Sequence, residues 1–253
     1  VLACLAPLPE AVLAGIPHQR LHFDAGSVVV VLNQPETRAA LRAKGMVLPG
    51  EPLDYDYPGR FRPRENQIET VAFLVNTLRA FVLNGLRTGK TLAALWATDY
   101  LIKQQQVRRV LIVAPKSILH DVWAREMLLS FPRYSLAVLE GSRARKLQIL
   151  EDTRIRVLIV NPESVVLLPS LPEVDLVIVD EATKFKNYRT QRSKALAKLT
   201  GGLRLWLMTG TPAPQAPTDA HGLLKLQRTG KYLSFGHFRD MTMLQVSQFK
   251  WVA

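Results

Sequence analysis

Short runs with no polar residue alternate with helical segments from Pro63 to Met208, and no other feature restricts the possible folds as much. Val110–Val113, Val157–Val160 and Leu176–Val179 are apolar throughout. A strand wetted on one face alternates apolar and polar residues, whereas a continuous apolar run needs cover on both faces. That is the situation of a parallel sheet between helical layers. The patterning predicts helices over 65–78, 90–104, 118–130, 142–151 and 190–199. Strands are predicted over 80–83, 110–114, 135–139, 156–160, 176–180 and 203–208. The interleaving predicts an α/β fold, a doubly wound, mostly parallel sheet with right-handed crossovers. Residues 1–60 differ in character: a strand from Gly26 to Leu32, a helix from Pro35 to Lys44, then a Pro/Gly/Tyr-rich connector. They predict a small α+β addition, giving three segments, 1–60, 61–229 and 230–253.

Two strand ends carry chemistry. Ala80-Phe81-Val82-Leu83 runs into N-G-L-R-T-G-K-T, Asn84 to Thr91, and then into a strong helical pattern. A phosphate chain needs backbone N–H groups converging on its oxygens, which a tight loop entering a helix N-terminus supplies. Gly85 and Gly89 permit that backbone, Lys90 brings a cation to the outer phosphates, and the Thr91 hydroxyl can ligate Mg²⁺. Asn84 stands where the first glycine of G-x-x-x-x-G-K-[ST] belongs, and asparagine tolerates left-handed angles. Asn84, Gly85, Thr88, Gly89, Lys90 and Thr91 are therefore candidate phosphate-binding residues.

The second strand end is Leu176-Val177-Ile178-Val179 running into Asp180-Glu181-Ala182-Thr183. Side chains at the carboxyl ends of parallel strands face the ligand crevice. Asp180 is placed to hold Mg²⁺ opposite Thr91, and Glu181 to orient and deprotonate a water attacking the γ-phosphate. Lys90, Asp180 and Glu181 are the catalytic candidates, with ATP and Mg²⁺ as ligands. A third strand end, Met208-Thr209-Gly210-Thr211-Pro212, offers two hydroxyls that could sense the state of the γ-phosphate.

The net charge of +12, from 33 basic and 21 acidic residues, favours a polyanionic partner, and nucleic acid is the first candidate. Lys116 and Ser117, following the strand V-L-I-V-A-P, could take a phosphate at the start of a helix capped by Ser117. Trp96, Trp123 and Trp206 fall at apolar-periodic positions and are expected in the core. His120, His221 and His237 lack metal-ligand spacing. A single cysteine, Cys4, excludes an internal disulfide and agrees with a reducing cytosol. No run approaches a membrane span, and the apolar first sixteen residues lack the basic lead of a signal peptide.

In this order the motifs resemble those of the first RecA-like lobe of a superfamily-two helicase, in the Swi/Snf-like branch and close in flavour to its compact bacteriophage members. The resemblance covers about residues 60 to 250. Phe61-Arg62-Pro63 with Gln67 is similar to the adenine-recognising glutamine motif, with two extra residues between Pro63 and Gln67. Asn84–Thr91 matches motif I and Ala114-Pro115-Lys116-Ser117 motif Ia. Asn161-Pro162-Glu163-Ser164 is similar to the next strand-end motif. Asp180-Glu181-Ala182-Thr183, with Lys186-Asn187, matches D-E-A-H and the basic segment after it, with Thr183 in place of histidine. Thr209-Gly210-Thr211-Pro212 matches motif III. The resemblance implies that Gln67 reads the base edge, that Thr209, Gly210 and Thr211 couple hydrolysis to movement, and that Lys116, Ser117, Asn161, Ser164 and Lys186 line the path of duplex DNA without sequence preference.

The residues after Pro212 contain no Q-x-x-G-R-x-x-R-like run. The resemblance therefore implies that a second RecA-like lobe, the source of arginines for the transferring phosphoryl group, lies outside this chain. The first residue is Val, in keeping with a chain trimmed or excised from something longer. The expected function is the ATP-binding half of a DNA translocase or helicase, weakly active alone. Two alternatives stay open: the motor subunit of a restriction or DNA-packaging machine, and a non-catalytic nucleic-acid-binding module that kept the ATP fold.

Overall fold

The computed structural model describes residues 2–4, 13–23, 26–31, 37, 40–41, 43–44, 55–85, 87–211, 213, 215–227, 232–247 and 250–252. The chain divides into two compact units, Val1–Leu53 and Asp54–Ala253. The first holds a three-stranded antiparallel sheet of β1 (Leu2–Cys4), β2 (His18–Phe23) and β3 (Gly26–Val31), in the order β1-β3-β2. Val29 and Val31 on β3 are buried and Val30 between them is half-buried, so one face of the sheet forms a small core with Leu13, Ile16 and Leu41. Of the helix expected over 35–44, residues 37, 40, 41 and 43 are helical. Its other positions except Lys44, and Leu32 of the predicted strand, lie outside the described residues.

The second unit is built on six strands: β4 (Arg79–Val82), β5 (Val110–Val113), β6 (Leu136–Val138), β7 (Val157–Val160), β8 (Leu176–Val179) and β9 (Arg204–Met208). Their order is β4-β9-β8-β5-β7-β6, and every neighbouring pair is parallel. Five helices alternate with the strands: α1 (Glu65–Val75), α2 (Lys90–Lys103), α3 (Arg125–Ser130), α4 (Arg143–Glu151) and α5 (Gln191–Leu199). Beyond β9 come α6 (Ala220–Gln227), α7 (Phe235–Thr242) and an antiparallel pair, β10 (Leu244–Ser247) with β11 (Lys250–Val252).

The apolar runs behave as their composition demands: every residue of β5, β7 and β8 is buried. Leu111, Val113, Leu158, Val160, Val177, Val179, Leu205 and Leu207 share one core cluster with Leu150 of α4, Leu196 of α5 and Leu223 of α6. Alternate positions, among them Ile112, Ile159, Ile178 and Trp206, project to the opposite face and are equally buried. At ~25 cal/mol per Å² of apolar area, this two-sided burial is the main force holding the sheet.

Three arginines at the amino-terminal edge of this sheet point at main-chain oxygens. Arg109 is 1% exposed, with donors on the carbonyls of Ile155, Leu150, Pro172 and Asp152 at 2.8–2.9 Å. Arg79 donates to Thr200, Leu203, Leu226 and Gln227, and Arg204 to Val75 and Thr77. These oxygens belong largely to the ends of α1, α4, α5 and α6, where unsatisfied carbonyls carry partial negative charge. Part of the positive excess is therefore structural.

Residues 55–60 of the connector lie within the second unit and pack on its α2. Asp99 of α2 is fully buried and accepts from Tyr55 at 2.6 Å, from Tyr134 and from Arg133. Tyr57 meets the Trp96 ring edge-on at 5.2 Å, and the Trp96 indole donates to Pro58 O at 2.8 Å. Residues 55–60, grouped with the amino-terminal segment on sequence, are thus anchored to the sheet unit.

The continuous helix expected over 118–130 is replaced by three pieces. A 3₁₀ turn covers Lys116–Ile118, a wide π-turn covers Leu119–Ala124, and only then does α3 begin. Pro115 precedes the first turn, and Ser117 does not cap it. α1 stops three residues early because Asn76 turns back, its side-chain amide donating to Ala72 O at 2.8 Å.

Candidate nucleotide and nucleic-acid site

The loop between β4 and α2 places Lys90 at the first turn of α2, where its ammonium donates to Asn84 O at 2.8 Å and to Gly85 O at 2.7 Å. Thr88 Oγ1 also donates to Gly85 O, at 2.9 Å. Gly89 holds φ 81°, an angle that favours glycine, and a Cβ there would lie 2.3 Å from Gln67 Nε2, so a larger residue would also have to displace the Gln67 amide. Asn84 does not use its tolerance for left-handed angles: the positive φ values of the loop fall on Arg87 and Gly89. Its side chain instead donates to Thr70 Oγ1 at 2.8 Å, tying the loop to α1. Gly85 is likewise in ordinary backbone space, with no atom nearer than 3.9 Å to a built Cβ, so no protein neighbour requires a glycine there.

Gln67 is buried and its amide is engaged at both ends. Nε2 donates to Gly89 O at 3.2 Å and Oε1 accepts from Arg64 N at 3.0 Å. It therefore ties the start of α1 to the phosphate loop, and reading a base edge requires exchanging one of these bonds. A pocket of about 340 Å³ opens beside it, bordered by Phe61, Arg62, Arg64, Gln67, Gly89 and Thr91. Phe61 is half exposed at this rim, a stacking surface for a planar ring.

Asp180 lies at the carboxyl end of β8, its N–H bonded to Val113 O at 2.8 Å. Its carboxylate accepts from the Trp123 indole at 3.0 Å and from the backbone N–H of Glu181 at 3.0 Å. Burial raises its carboxyl above the ordinary range, opposed by those two hydrogen bonds and by the positive charge of Lys90. Lys90 and Asp180 therefore share one electrostatic environment. Glu181 adopts a left-handed conformation, φ 49° and ψ 52°, strain worth about 1–3 kcal/mol in a non-glycine residue and typical of functional turns.

The buried Asp180 carboxylate, its two oxygens accepting from one indole and one backbone N–H, keeps lone pairs that fit a divalent cation, which Thr91 and Asp180 would hold. Among the described residues no cluster of three or more His, Cys, Asp or Glu could cage a metal alone.

Thr209 follows β9, the neighbour of β8, and is fully buried; its hydroxyl accepts from Thr211 N at 3.1 Å, with half-buried Gly210 between. Pro212 lies outside the described residues. Lys116 and Ser117 are exposed at the end of β5. Asn161 caps a 3₁₀ turn by accepting from Ser164 N at 2.8 Å, and the buried Ser164 hydroxyl accepts from Lys146 Nζ at 2.9 Å. Lys186 is paired with Asp219 at 3.1 Å and Gln215 at 3.2 Å. Of the five expected nucleic-acid contacts, Lys116 and Ser117 present side chains outward, while Ser164 and Lys186 have partners within the fold. The Trp123–Asp180 contact has no local signature in the sequence, because the bonded residues lie 57 positions apart.

A six-stranded parallel sheet with Lys90 at one strand end and Asp180-Glu181 at another defines a RecA-like nucleotide-binding lobe. Residues 66–248 match the SNF2-related domain, and the chain belongs to that family. Putative protein p41 of Acyrthosiphon pisum secondary endosymbiont phage 1 is 29% identical over 175 residues, 64% of this chain and 38% of that protein. The uncharacterized ATP-dependent helicase YqhH of Bacillus subtilis is 27% identical over 192 residues, 73% of this chain and 32% of that one. The Sulfolobus solfataricus SWI2/SNF2 ATPase core in complex with dsDNA shares the fold with a TM-score of 0.65 at 20% identity, over 75% of this chain and 40% of that one. The chain spans well under half the length of these proteins. No described helix is long and apolar enough to cross a membrane.

Proposed function

We propose that this chain is the ATP-binding lobe of a DNA translocase or helicase of the Swi/Snf-like branch, which moves on duplex DNA once a second RecA-like lobe completes it. The observation that carries the reading is the joint placement of Lys90 and Asp180, a cation in a glycine-bounded loop within electrostatic reach of a buried carboxylate. Membership of the SNF2-related family supports it, as do the helicase relative and the duplex-bound fold relative.

In this reading Phe61 and Gln67 border the base, the loop N–H groups and Lys90 bind the phosphates, and Thr91 with Asp180 hold Mg²⁺. The bound ion supplies charge neutralisation at the phosphates. Glu181 accepts the proton of a water whose oxygen attacks the γ-phosphorus as the bond to the bridging oxygen breaks and ADP leaves. An arginine supplied by a second lobe contributes about 10³–10⁵ in rate in such systems. Exposed Lys116 and Ser117 would meet DNA phosphates, with sequence-indifferent binding that weakens steeply with salt.

Steady-state ATP hydrolysis by the chain, with and without duplex DNA, tests this. Slow turnover that duplex barely stimulates is expected, and Glu181→Gln should abolish what there is. Turnover at the rate of a complete motor, stimulated by duplex, would contradict the need for a second lobe. Turnover unaffected by Glu181→Gln would remove the residue from its assigned role.

A further inference from the structure

Three tryptophans are fully buried, and each indole N–H has one partner. Trp96 donates to Pro58 O and Trp206 to Thr77 O, bonds that join segments of backbone. Trp123 donates instead to a side chain, Asp180 Oδ2 at 3.0 Å, while the other carboxylate oxygen, Oδ1, accepts from Glu181 N at 3.0 Å. The carboxylate is thus held at both oxygens, one donor belonging to its own turn and the other arriving from a different strand connection.

The segment that delivers the indole is unusual. Leu119–Ala124 is a π-turn, whose widened backbone is rare and concentrates at functional sites. It begins directly after the 3₁₀ turn Lys116–Ile118, which bears the exposed Lys116 and Ser117. A neutral donor in a dry pocket fixes a carboxylate's orientation without cancelling its charge, which suits a group that must still hold a cation.

We propose that Trp123 is a positioning residue for the Mg²⁺-holding carboxylate of Asp180, setting its rotamer from the turn that follows Lys116 and Ser117. The proposal rests on the reading of Asp180 given above and adds a group from outside the motif that contains it.

The test uses the chain labelled with ¹⁵N, whose four tryptophans give four indole N–H resonances, assigned by single Trp→Phe substitutions. Calorimetry on the same samples reports ADP binding with and without Mg²⁺. Addition of Mg²⁺ with ADP should shift the Trp123 resonance and leave those of Trp96 and Trp206 in place. Trp123→Phe should raise the Mg²⁺ concentration needed for half-maximal ADP binding about tenfold or more, the effect of removing a hydrogen bond to a charged group. Metal-free ADP affinity should stay within about twofold, because the carboxylate touches the metal rather than the base; a general loosening of the fold would weaken both equally. Where Trp123→Phe does not fold, the wild-type titration alone decides. Tight Mg²⁺-dependent ADP binding with an unmoved Trp123 resonance would overturn the proposal while leaving the nucleotide site intact. A chain that binds no ADP under any condition would overturn both.

Discussion

Tyr55 donates a hydrogen bond of 2.6 Å to Asp99, a carboxylate with no solvent exposure in the helix that begins at Lys90. Burial alone would raise the Asp99 carboxyl. Hydrogen bonds from Tyr134, Tyr55 and Arg133, with the charge of Arg133, more than offset this and hold it below the ordinary value. Lys103 adds a further contact at 3.3 Å. The result is a polar knot that fastens Tyr55 to the helix Lys90–Lys103.

Stability should fall at both ends of the pH scale through this knot. Asp99 titrates lower folded than unfolded, so its contribution is present above the unfolded value and is lost as pH falls through the folded one, which lies under the ordinary value of 3.8. Tyr134 is pushed up to about 12, first by burial and then by its bond to Asp99, and Tyr55 is pushed further for the same reasons. Their contribution is complete below the ordinary tyrosine value of 10.0 and is lost as pH rises from there toward 12. Tyrosinate absorbance followed with circular dichroism should show Tyr55, Tyr57 and Tyr134 ionising late, as the fold opens. All six tyrosines ionising in one step on an unchanged fold would contradict this. Asp99→Asn should cost about 2 kcal/mol at neutral pH and flatten the acid limb.

Arg109 should be a structural residue of the first rank despite its charge. Arg109→Met takes the guanidinium donor from four carbonyls and should destabilise by about 3 kcal/mol or more. That corresponds to roughly 6–12 °C in melting temperature for a unit of this size. Arg109→Lys should recover less than half, because an ammonium cannot reproduce the planar fork. Equal melting of wild type and Arg109→Met would remove it from this role.

Two glycines separate backbone angle from space. A Cβ on Gly222 would sit 1.9 Å from Lys186 O, a main-chain atom that no rotamer change can move. Gly222→Ala should therefore cost about 3 kcal/mol by forcing α6 off the turn after Asp180. Gly202 differs: its φ of 81° favours glycine, while no atom lies within 4 Å of where a Cβ would sit. Gly202→Ala should cost only the left-handed penalty of about 1–2 kcal/mol. Thermal melts that rank the two in the opposite order would show the contact is not limiting.

The sheet was legible because parallel strands buried on both faces have a composition of their own: all six predicted strands from 80 to 208 are present, shifted by at most one residue at either end. The loop from Asn84 to Thr91 stood out as a candidate because its glycine, lysine and threonine are adjacent in sequence. What stayed hidden depends on distance or on context. β1 and β2 lacked the apolar run that marked β3. The arginine caps join residues up to 148 positions apart, and no local pattern marks an arginine that faces carbonyls rather than solvent. The expected helix cap at Ser117 failed because Ser117 lies inside the 3₁₀ turn Lys116–Ile118 that follows Pro115. Ser164 was matched to a nucleic-acid motif by its sequence neighbours, yet its hydroxyl faces inward to Lys146.

The account depends on Lys90, Thr91, Asp180 and Glu181 forming one triphosphate site, and calorimetric titration of the chain with Mg²⁺ and a non-hydrolysable ATP analogue tests it most directly. Saturable binding to wild type is expected. Lys90→Ala should weaken it by about 10–100-fold, the effect of losing charge-assisted bonds to phosphate. Asp180→Asn should remove the dependence on Mg²⁺ while both variants keep the wild-type melting curve. Binding to folded Lys90→Ala as tight as to wild type, or no binding to wild type at all, would contradict it.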